Sequence, residues 1–279
     1  MMTYRDLLQS LSAVYEPGEA KAIARMVLEK RFHLSMADIL IGKDTQLSAD
    51  DQTELEKISQ RLSRGEPVQY VLGMAEFGPH TFTVSPKVLI PRPETYKLCQ
   101  WISESCIIDS PTILDIGTGS GCIAITLARQ DKSATVEGWD ISADALAVAR
   151  QNAGQQQVHI ALSQHDIFTI PNDTTFGLWD IIVSNPPYVC RQEAGSMAPW
   201  VLNHEPHTAL FVPDDDPLLF YRRIGYYAKA ALNSGGMLFF EVNPLYHVET
   251  AHLLEGLGFH DIKEKTDQFG KQRFIRACK

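Results

Sequence analysis

An alternation of strand-like and helix-like segments runs through the chain from residue 112 onwards and constrains its fold more than any other feature. Short apolar stretches alternate with longer segments whose apolar residues recur at helical spacing. This order implies right-handed crossovers and a mainly parallel sheet covered by helices. Two last strands, near Ile262 and Phe274, are expected to pair antiparallel across Gln268-Phe269-Gly270. The other predicted strands are 112–116, 135–139, 158–162, 181–184 and 237–242, and the predicted helices are 122–129, 143–152, 218–232 and 245–257.

The first 65 residues predict a small helical domain, and a hairpin is predicted to follow it. Between residues 20 and 28 the apolar side chains form one helical stripe, and Ser48 is suited to cap a later helix. Residues 68–72 and 81–84 are rich in β-branched and aromatic side chains, with Gly78-Pro79 between them as a turn signal. We therefore expect a helical domain at 1–65, a β-hairpin and linker at 66–93, and an α/β domain at 94–279.

Composition narrows the function mainly by exclusion. The net charge of −9 gives no overall basic field to attract nucleic acid. The apolar stretches are shorter than the ~20 residues of a membrane span, and we expect no signal segment. The five cysteines lack Cys-x-x-Cys spacing, which indicates reduced thiols in the cytoplasm. His204 and His207 are separated by Pro206, so we expect no metal site there.

A glycine-rich loop and three acidic residues at three consecutive strand ends predict a nucleoside ligand. Gly117-Thr118-Gly119-Ser120-Gly121 joins a predicted strand to a predicted helix, where glycines let backbone approach a ligand at a helix N-terminus. Its G-x-G-x-G spacing differs from the G-x-G-x-x-G of dinucleotide-binding loops. Asp140 ends the second strand, where an acidic residue meets ribose hydroxyls, and Asp166 ends the third, within reach of an adenine amino group. Each aspartate alone could equally be a cap.

A second candidate site is the turn Asn185-Pro186-Pro187-Tyr188, which directly follows an apolar strand. The two prolines stiffen the turn, and ligands bind at this end of the strands in open α/β sheets. The Asn185 side-chain carbonyl and the Pro186 backbone carbonyl are two fixed acceptors, which can hold both hydrogens of one NH2 group. Tyr188 is placed to lie against the flat face of that group. An ordinary turn is the alternative explanation.

Together these motifs resemble those of the S-adenosylmethionine-dependent methyltransferases, and more narrowly those of the release factor glutamine methyltransferases (PrmC/HemK family). The resemblance runs nearly end to end. It includes Gly65-Glu66-Pro67-Val68-Gln69-Tyr70, Leu89-Ile90-Pro91-Arg92-Pro93-Glu94-Thr95 and Glu205-Pro206. It implies a Rossmann-like, seven-stranded α/β methyltransferase domain and a monomeric cytoplasmic enzyme, with 1–65 as the substrate-docking domain.

The resemblance also implies the reaction and its residues. S-adenosylmethionine would give its methyl group to the glutamine amide nitrogen of the Gly-Gly-Gln motif in class 1 peptide chain release factors, leaving S-adenosylhomocysteine. No direct nucleic-acid or membrane partner and no metal are implied. The implied catalytic residues are Asn185, Pro186 and Tyr188. The implied cofactor-binding residues are Gly117, Thr118, Gly119, Ser120, Gly121, Asp140, Asp166, Ile167 and Asn185. The implied substrate-binding residues are Asn185, Pro186, Pro187, Tyr188, Arg92 and Glu94.

Four departures from the family pattern concern contacts with substrate and adenine. Tyr96 stands where an acidic residue is usual, and Asn243 where glycine is frequent. Phe211-Val212-Pro213-Asp214 replaces a glycine-rich stretch, and Ile167 replaces a larger apolar residue beside the adenine.

Three other functions are compatible with parts of this pattern. A methyltransferase acting on exocyclic amines of adenine or guanine in DNA or RNA would use the same turn, but it conflicts with the net charge of −9. A non-catalytic ligand sensor would not need two fixed acceptors in a double-proline turn. A dinucleotide oxidoreductase is disfavoured by the spacing of the glycine loop.

Overall fold

The computed structural model describes residues 1–171 and 178–279 and divides into two compact units. The helical unit comprises Met1–Met74 and Ala198–His204, and the sheet unit comprises Ala75–Met197 and Glu205–Lys279. Within the described residues, no helix has the length and apolar character needed to cross a membrane.

The helical unit is a set of short helices around an apolar core, as the sequence predicts. Ser48 accepts a hydrogen bond from the Asp51 backbone nitrogen (3.1 Å), which confirms it as an N-cap. Leu7, Leu28 and Leu55 are fully buried at the centre. The helices are α1 (Tyr4–Leu11), α2 (Pro17–Phe32), α3 (Met36–Leu40), α4 (Ala49–Leu62) and α5 (Val68–Leu72), with α9 (Pro199–His204) from later in the chain.

The strand predicted at 68–72 is wrong, because these residues form helix α5. Gly73 ends this helix in the left-handed conformation (φ 72°), and the Arg61 guanidinium donates to the carbonyls of Tyr70 and Val71 near its C-terminus (3.2 and 3.1 Å). A helix can bury these apolar side chains as well as a strand can, so their β propensity does not decide the structure of the segment. The hairpin follows instead as β1 (Met74–Phe77) and β2 (His80–Thr83).

The sheet unit has the predicted α/β order. In the described part of the chain, seven strands form one sheet in the order β10-β11-β9-β6-β3-β4-β5, where β11 pairs antiparallel with β9 and β10 and the other pairs are parallel. The short strands β7 and β8 pair separately. In chain order the elements are α6 (Pro93–Ser105), β3 (Thr112–Ile116), α7 (Cys122–Gln130), β4 (Thr135–Asp140), α8 (Ala143–Gln156), β5 (Ala161–Gln164), β6 (Trp179–Ser184), β7 (Val189–Cys190), β8 (Phe211–Val212), α10 (Leu219–Ala231), β9 (Leu232–Glu241), α11 (His247–Gly256), β10 (His260–Thr266) and β11 (Gln272–Cys278).

Several boundaries differ from the prediction, most clearly around β5 and at the start of β9. The third strand begins at Ala161, because α8 continues to Gln156 and Gln157 then closes it in the left-handed conformation (φ 56°). Strand β9 begins at Leu232, earlier than predicted, where it follows α10 directly.

Both faces of the sheet are buried, so successive residues of β3 face different cores. Leu114 packs in the cluster that contains Tyr227 of α10, whereas Ile113 packs in the cluster that contains Trp101 of α6. Because both faces are covered by helices, access to the sheet is left at the ends of its strands. The carboxyl ends of β3, β4 and β6 lie side by side, and both predicted motifs follow these ends.

Candidate active site

A cavity of about 730 Å³ lies at the carboxyl ends of the central strands. It joins the glycine loop to the double-proline turn, so the two motifs belong to one site. Within the described residues, the lining leaves out Gly121, Tyr188 and Glu94. The predicted site residues that line it are Arg92, Gly117, Thr118, Gly119, Ser120, Asp140, Asp166, Ile167, Asn185, Pro186 and Pro187.

The glycine loop is held by backbone hydrogen bonds to the neighbouring strand. The backbone nitrogens of Gly117 and Thr118 donate to the Trp139 carbonyl (2.8 and 2.9 Å). Gly119 has a φ of 55° and donates its backbone N–H to Asp140 Oδ2 (2.9 Å). A Cβ on Gly121 would lie 2.9 Å from the Ile125 side chain, so this glycine permits close packing of the loop against the helix. Contacts within the protein itself therefore hold the loop in this conformation.

A buried carboxylate outside the predicted site residues lies beneath this loop. Asp115 is fully buried, and its Oδ2 accepts from the Thr118 hydroxyl (2.7 Å) and the Ala124 backbone nitrogen (3.3 Å). Its Oδ1 has no partner among the described residues. Burial raises the pKa of Asp115 from 3.8 to about 7. The only sequence signal was its place at the second-last position of β3.

We expect Asp115→Asn to stabilise the protein increasingly as pH rises. Below the unfolded pKa near 3.8 the carboxyl is protonated in both states, and its stability contribution is lost as pH rises through the folded pKa near 7. The amide does not titrate, so the difference in unfolding free energy should widen by about 1.4 kcal/mol per pH unit over this window and then level off. Urea unfolding at several pH values measures it.

Asp131 supplies the matched control for this titration. Asp131 is only half-buried, and its hydrogen bond from Ser133 lowers its pKa, so Asp131→Asn should give a constant difference above about pH 4. A constant difference for Asp115→Asn as well would contradict the raised pKa.

The aspartates predicted to bind the nucleoside lie on the cavity wall. Asp140 accepts from the backbone nitrogens of Ser142 at Oδ1 and Gly119 at Oδ2 (both 2.9 Å), and burial raises its pKa. Asp166 lies two residues beyond β5, where it accepts from the Phe168 backbone nitrogen (2.9 Å). Both carboxylates therefore line the cavity and also hold the neighbouring backbone in place through hydrogen bonds.

An apolar wall beside Asp166 was only partly predicted. Ile167 is 7% exposed and lines the cavity, as do Phe168 and Phe220, whose rings meet edge-on at 5.0 Å between centroids. The sequence analysis did not identify the two phenylalanines, since they come from segments about 50 residues apart. Aromatic and apolar side chains at this position suit a flat ring.

The double-proline turn is tied to the sheet by its flanking residues. The Ser184 hydroxyl donates to the Ile116 carbonyl (2.6 Å), which joins the ends of β6 and β3. Asn185 Nδ2 donates to the Thr95 hydroxyl (3.4 Å), and the Thr95 hydroxyl donates to the buried Glu241 (2.7 Å). One N–H of the Asn185 amide is thus engaged, and the amide oxygen is the other polar atom of the group. Thr95 and Glu241 were not predicted site residues.

Tyr188 and Glu94 are directed elsewhere. The Tyr188 hydroxyl donates to Glu241 Oε1 (3.1 Å) and accepts from Arg273 Nη1 (3.3 Å), and burial raises its pKa, which keeps it a neutral donor. Glu94 accepts from Gln268 (3.0 Å). Direct catalytic or substrate contact by these two residues stays a prediction.

Three of the departures from the family pattern have local structural partners. The Tyr96 ring packs edge-on against Phe77 of the hairpin (5.5 Å between centroids). Asn243 Nδ2 donates to the Tyr188 carbonyl (3.0 Å), immediately after the double proline. Phe211 begins β8, which pairs with the strand after the turn. These residues therefore support the walls of the site.

Known proteins match the chain along nearly its whole length. The family described as Methyltransferase small domain matches residues 97–211, and the PrmC N-terminal domain matches residues 5–73. The release factor glutamine methyltransferase of Bacteroides thetaiotaomicron is 44% identical, covering 96% of both chains. That of Flavobacterium psychrophilum is 38% identical, covering 98% of this chain and 96% of the relative.

Solved structures share the fold. A methyltransferase from Pyrococcus furiosus aligns with a TM-score of 0.53 at 16% identity, covering 83% of this chain and 98% of its own. A 16S rRNA methyltransferase from T. thermophilus, in complex with AdoMet and guanosine, aligns with a TM-score of 0.54 at 20% identity, covering 74% of this chain and 49% of its own. At these identities the likeness concerns the fold alone.

Proposed function

The chain belongs to the release factor glutamine methyltransferase family, and we propose that it transfers a methyl group from S-adenosylmethionine to the glutamine side-chain amide nitrogen (N5) of the Gly-Gly-Gln motif in class 1 release factors. The observation that carries this proposal is the Asn185 side chain, whose nitrogen is held by Thr95 while the residue lines the same cavity as the glycine loop. Its oxygen is thereby available to an NH2 group beside the cofactor region.

The residues of the loop fit the methyl donor. Gly117 and Gly119 adopt positive φ, which leaves backbone open to close approach at the start of α7. Asp140 and Asp166 offer carboxylate acceptors to ribose hydroxyls and an adenine amino group, and Ile167 and Phe168 offer an apolar surface to the ring. When bound, the donor supplies an electrophilic methyl group on sulfur.

The two acceptors of the turn would make the weakly nucleophilic glutamine nitrogen more reactive. An amide nitrogen is a poor nucleophile, and the ~18–20 kcal/mol rotation barrier of a peptide bond sets the scale of its resonance. Asn185 Oδ1 and the Pro186 carbonyl would each accept one N–H and draw the hydrogens out of the amide plane. As the nitrogen–carbon bond forms and the sulfur–carbon bond breaks, these hydrogen bonds strengthen, which lowers the barrier. The displaced amide proton leaves to water.

The helical unit is proposed to dock the folded release factor. It matches the PrmC N-terminal domain, and it carries none of the residues that line the cavity. A monomer working in the cytoplasm, where release factors act, is the arrangement we propose.

Methylation of an exocyclic amine in nucleic acid is the second candidate, since the same turn would hold an adenine or guanine amino group. A panel of class 1 release factor, tRNA and duplex DNA with methyl-labelled donor separates the two. We expect label only in the factor, and none when its Gly-Gly-Gln glutamine is replaced by alanine. Label in tRNA or DNA, with none in the factor, would contradict the proposal. A Gly-Gly-Gln peptide in the same panel tests docking, since it should react far more slowly than the folded factor.

A further inference from the structure

We infer that Thr95 and Glu241 are positioning residues that fix which end of the Asn185 amide faces the cavity. The inference rests on the proposed function, because it assigns a cause to the orientation that glutamine binding requires. Both residues are buried, at 2% and 1% exposure, and Thr95 lines the cavity together with Asn185. They come from α6 and β9, far from Asn185 in sequence.

Four hydrogen bonds form a continuous chain that ends at Asn185. Arg273 Nη1 donates to the Tyr188 hydroxyl (3.3 Å), which donates to Glu241 Oε1 (3.1 Å). From the other side, Asn185 Nδ2 donates to the Thr95 hydroxyl (3.4 Å), which donates to Glu241 Oε2 (2.7 Å). Both arms therefore donate towards one carboxylate.

The direction of each bond follows from the number of protons available. A carboxylate only accepts, and a hydroxyl has one proton to give. Because Thr95 gives its proton to Glu241, only a donor can face the hydroxyl oxygen from the other side. Of the two ends of the Asn185 amide, only the nitrogen meets this condition. The oxygen is consequently turned towards the cavity, where the proposed substrate NH2 needs an acceptor.

The contacts of Glu241 suit a carboxylate, because one hydroxyl donates to each of its oxygens and a guanidinium lies beside it. Burial raises the pKa of Glu241 overall, and Thr95, Arg273 and Tyr188 offset only part of that rise. Arg273 Nη1 lies 3.9 Å from Glu241 Oε1, and its Nε pairs with Asp267 at 3.0 Å.

Glu241→Gln should reverse the chain of donors without changing its shape. Tyr188 still accepts from Arg273 and must donate, so it holds the oxygen of the new amide. The NH2 of that amide then faces Thr95, and the Thr95 proton passes to Asn185. The Asn185 amide would turn over and present its own NH2 to the substrate NH2. We expect kcat for release factor methylation to fall by at least about tenfold, with donor affinity unchanged within about twofold.

Thr95→Val tests the same chain from its other end. It removes the hydroxyl and leaves the Asn185 amide without a preferred direction, so we expect a severalfold loss of kcat that Thr95→Ser largely restores. In the double variant the reversed chain no longer reaches Asn185. Its kcat should therefore equal that of Thr95→Val and exceed that of Glu241→Gln, a non-additivity that simple loss of stability does not produce.

Thr126→Val is the matched control for a buried threonine. Thr126 is fully buried, and its hydroxyl has no partner among the described residues, so its removal should leave kcat unchanged and should not lower stability. All variants are read by single-turnover methylation at saturating donor, with the folded fraction measured by urea unfolding.

These assays distinguish failure of the proposed function from failure of the positioning role of Thr95 and Glu241. An unmodified enzyme that leaves release factor unlabelled overturns the proposed function, and the variants are then assayed on whichever member of the panel it methylates. An active unmodified enzyme with equally active, folded Glu241→Gln overturns the positioning role. If Glu241→Gln does not fold, a Thr95→Val enzyme as fast as Thr126→Val overturns it instead.

Discussion

Replacing Asn185 with alanine should lower the single-turnover rate of glutamine methylation by about 10²–10³-fold, the usual cost of losing one well-aimed hydrogen bond in a transition state. Affinity for the methyl donor should change little, because hydrogen bonds to Trp139 and Asp140 hold the glycine loop, whereas the Asn185 amide nitrogen donates to Thr95. Stopped single-turnover reactions at saturating donor measure the rate, and calorimetry measures donor affinity.

Two companion variants separate the amide from the turn. Pro186→Ala keeps the backbone carbonyl and loosens the chain, so we expect a smaller loss. Asn185→Asp keeps an acceptor at the cavity, but its second oxygen meets Thr95, whose proton already goes to Glu241. Activity between that of alanine and the unmodified enzyme is expected. A fully active Asn185→Ala enzyme would end the proposed role of the turn.

The positions of the two motifs could be predicted from sequence because strand ends are local features. The apolar runs before Gly117 and Asn185 end abruptly at glycine and proline, and parallel strands bring such ends to one edge. The alternation of strands and helices indicated a parallel sheet, and such a sheet places both motifs at the same edge. The structure confirms this part of the fold without needing any long-range contact to be known in advance.

The support behind the turn could not be predicted in the same way. Thr95 and Glu241 contact each other across 146 positions of sequence, and neither belongs to a spacing that a linear pattern expresses. Tyr188 shows the related difficulty that a motif gives a residue type without giving its direction. Its hydroxyl donates to Glu241 and accepts from Arg273, and Tyr188 is absent from the described lining of the cavity.

Helix α5 was mispredicted for a different physical reason. Val68, Tyr70 and Val71 have the side chains of a strand, and they are buried in either structure. The choice depends on the Gly73 stop and on the Arg61 guanidinium, whose hydrogen bonds to two carbonyls become available only in the folded unit. Apolar side chains therefore predict that such a segment is buried, but they do not decide whether it is a helix or a strand.

Arg92→Met should destabilise the protein by about 3–5 kcal/mol, the usual cost of removing one partner from a buried ion pair. Arg92 Nη2 lies 2.6 Å from Glu205 Oε1, and the Glu205 side chain is completely buried. Without the guanidinium, the buried carboxylate loses its cationic partner, and the Ile90 backbone N–H at 3.3 Å remains. Urea unfolding should show the loss, and Arg92→Met with Glu205→Gln should regain most of it, because no buried charge then remains.

An exposed ion pair provides the comparison. Arg31 makes two hydrogen bonds to Glu54 (2.6 and 2.8 Å) with both side chains in solvent, so Arg31→Met should cost at most about 1 kcal/mol. Equal losses for Arg92→Met and Arg31→Met would show that burial does not govern the Arg92 pair. Arg92 also lines the cavity, so the variant that combines Arg92→Met with Glu205→Gln tests its predicted role in substrate binding separately from its role in stability. With stability regained, any remaining loss of kcat/KM for release factor reports contact between Arg92 and the substrate rather than damage to the fold.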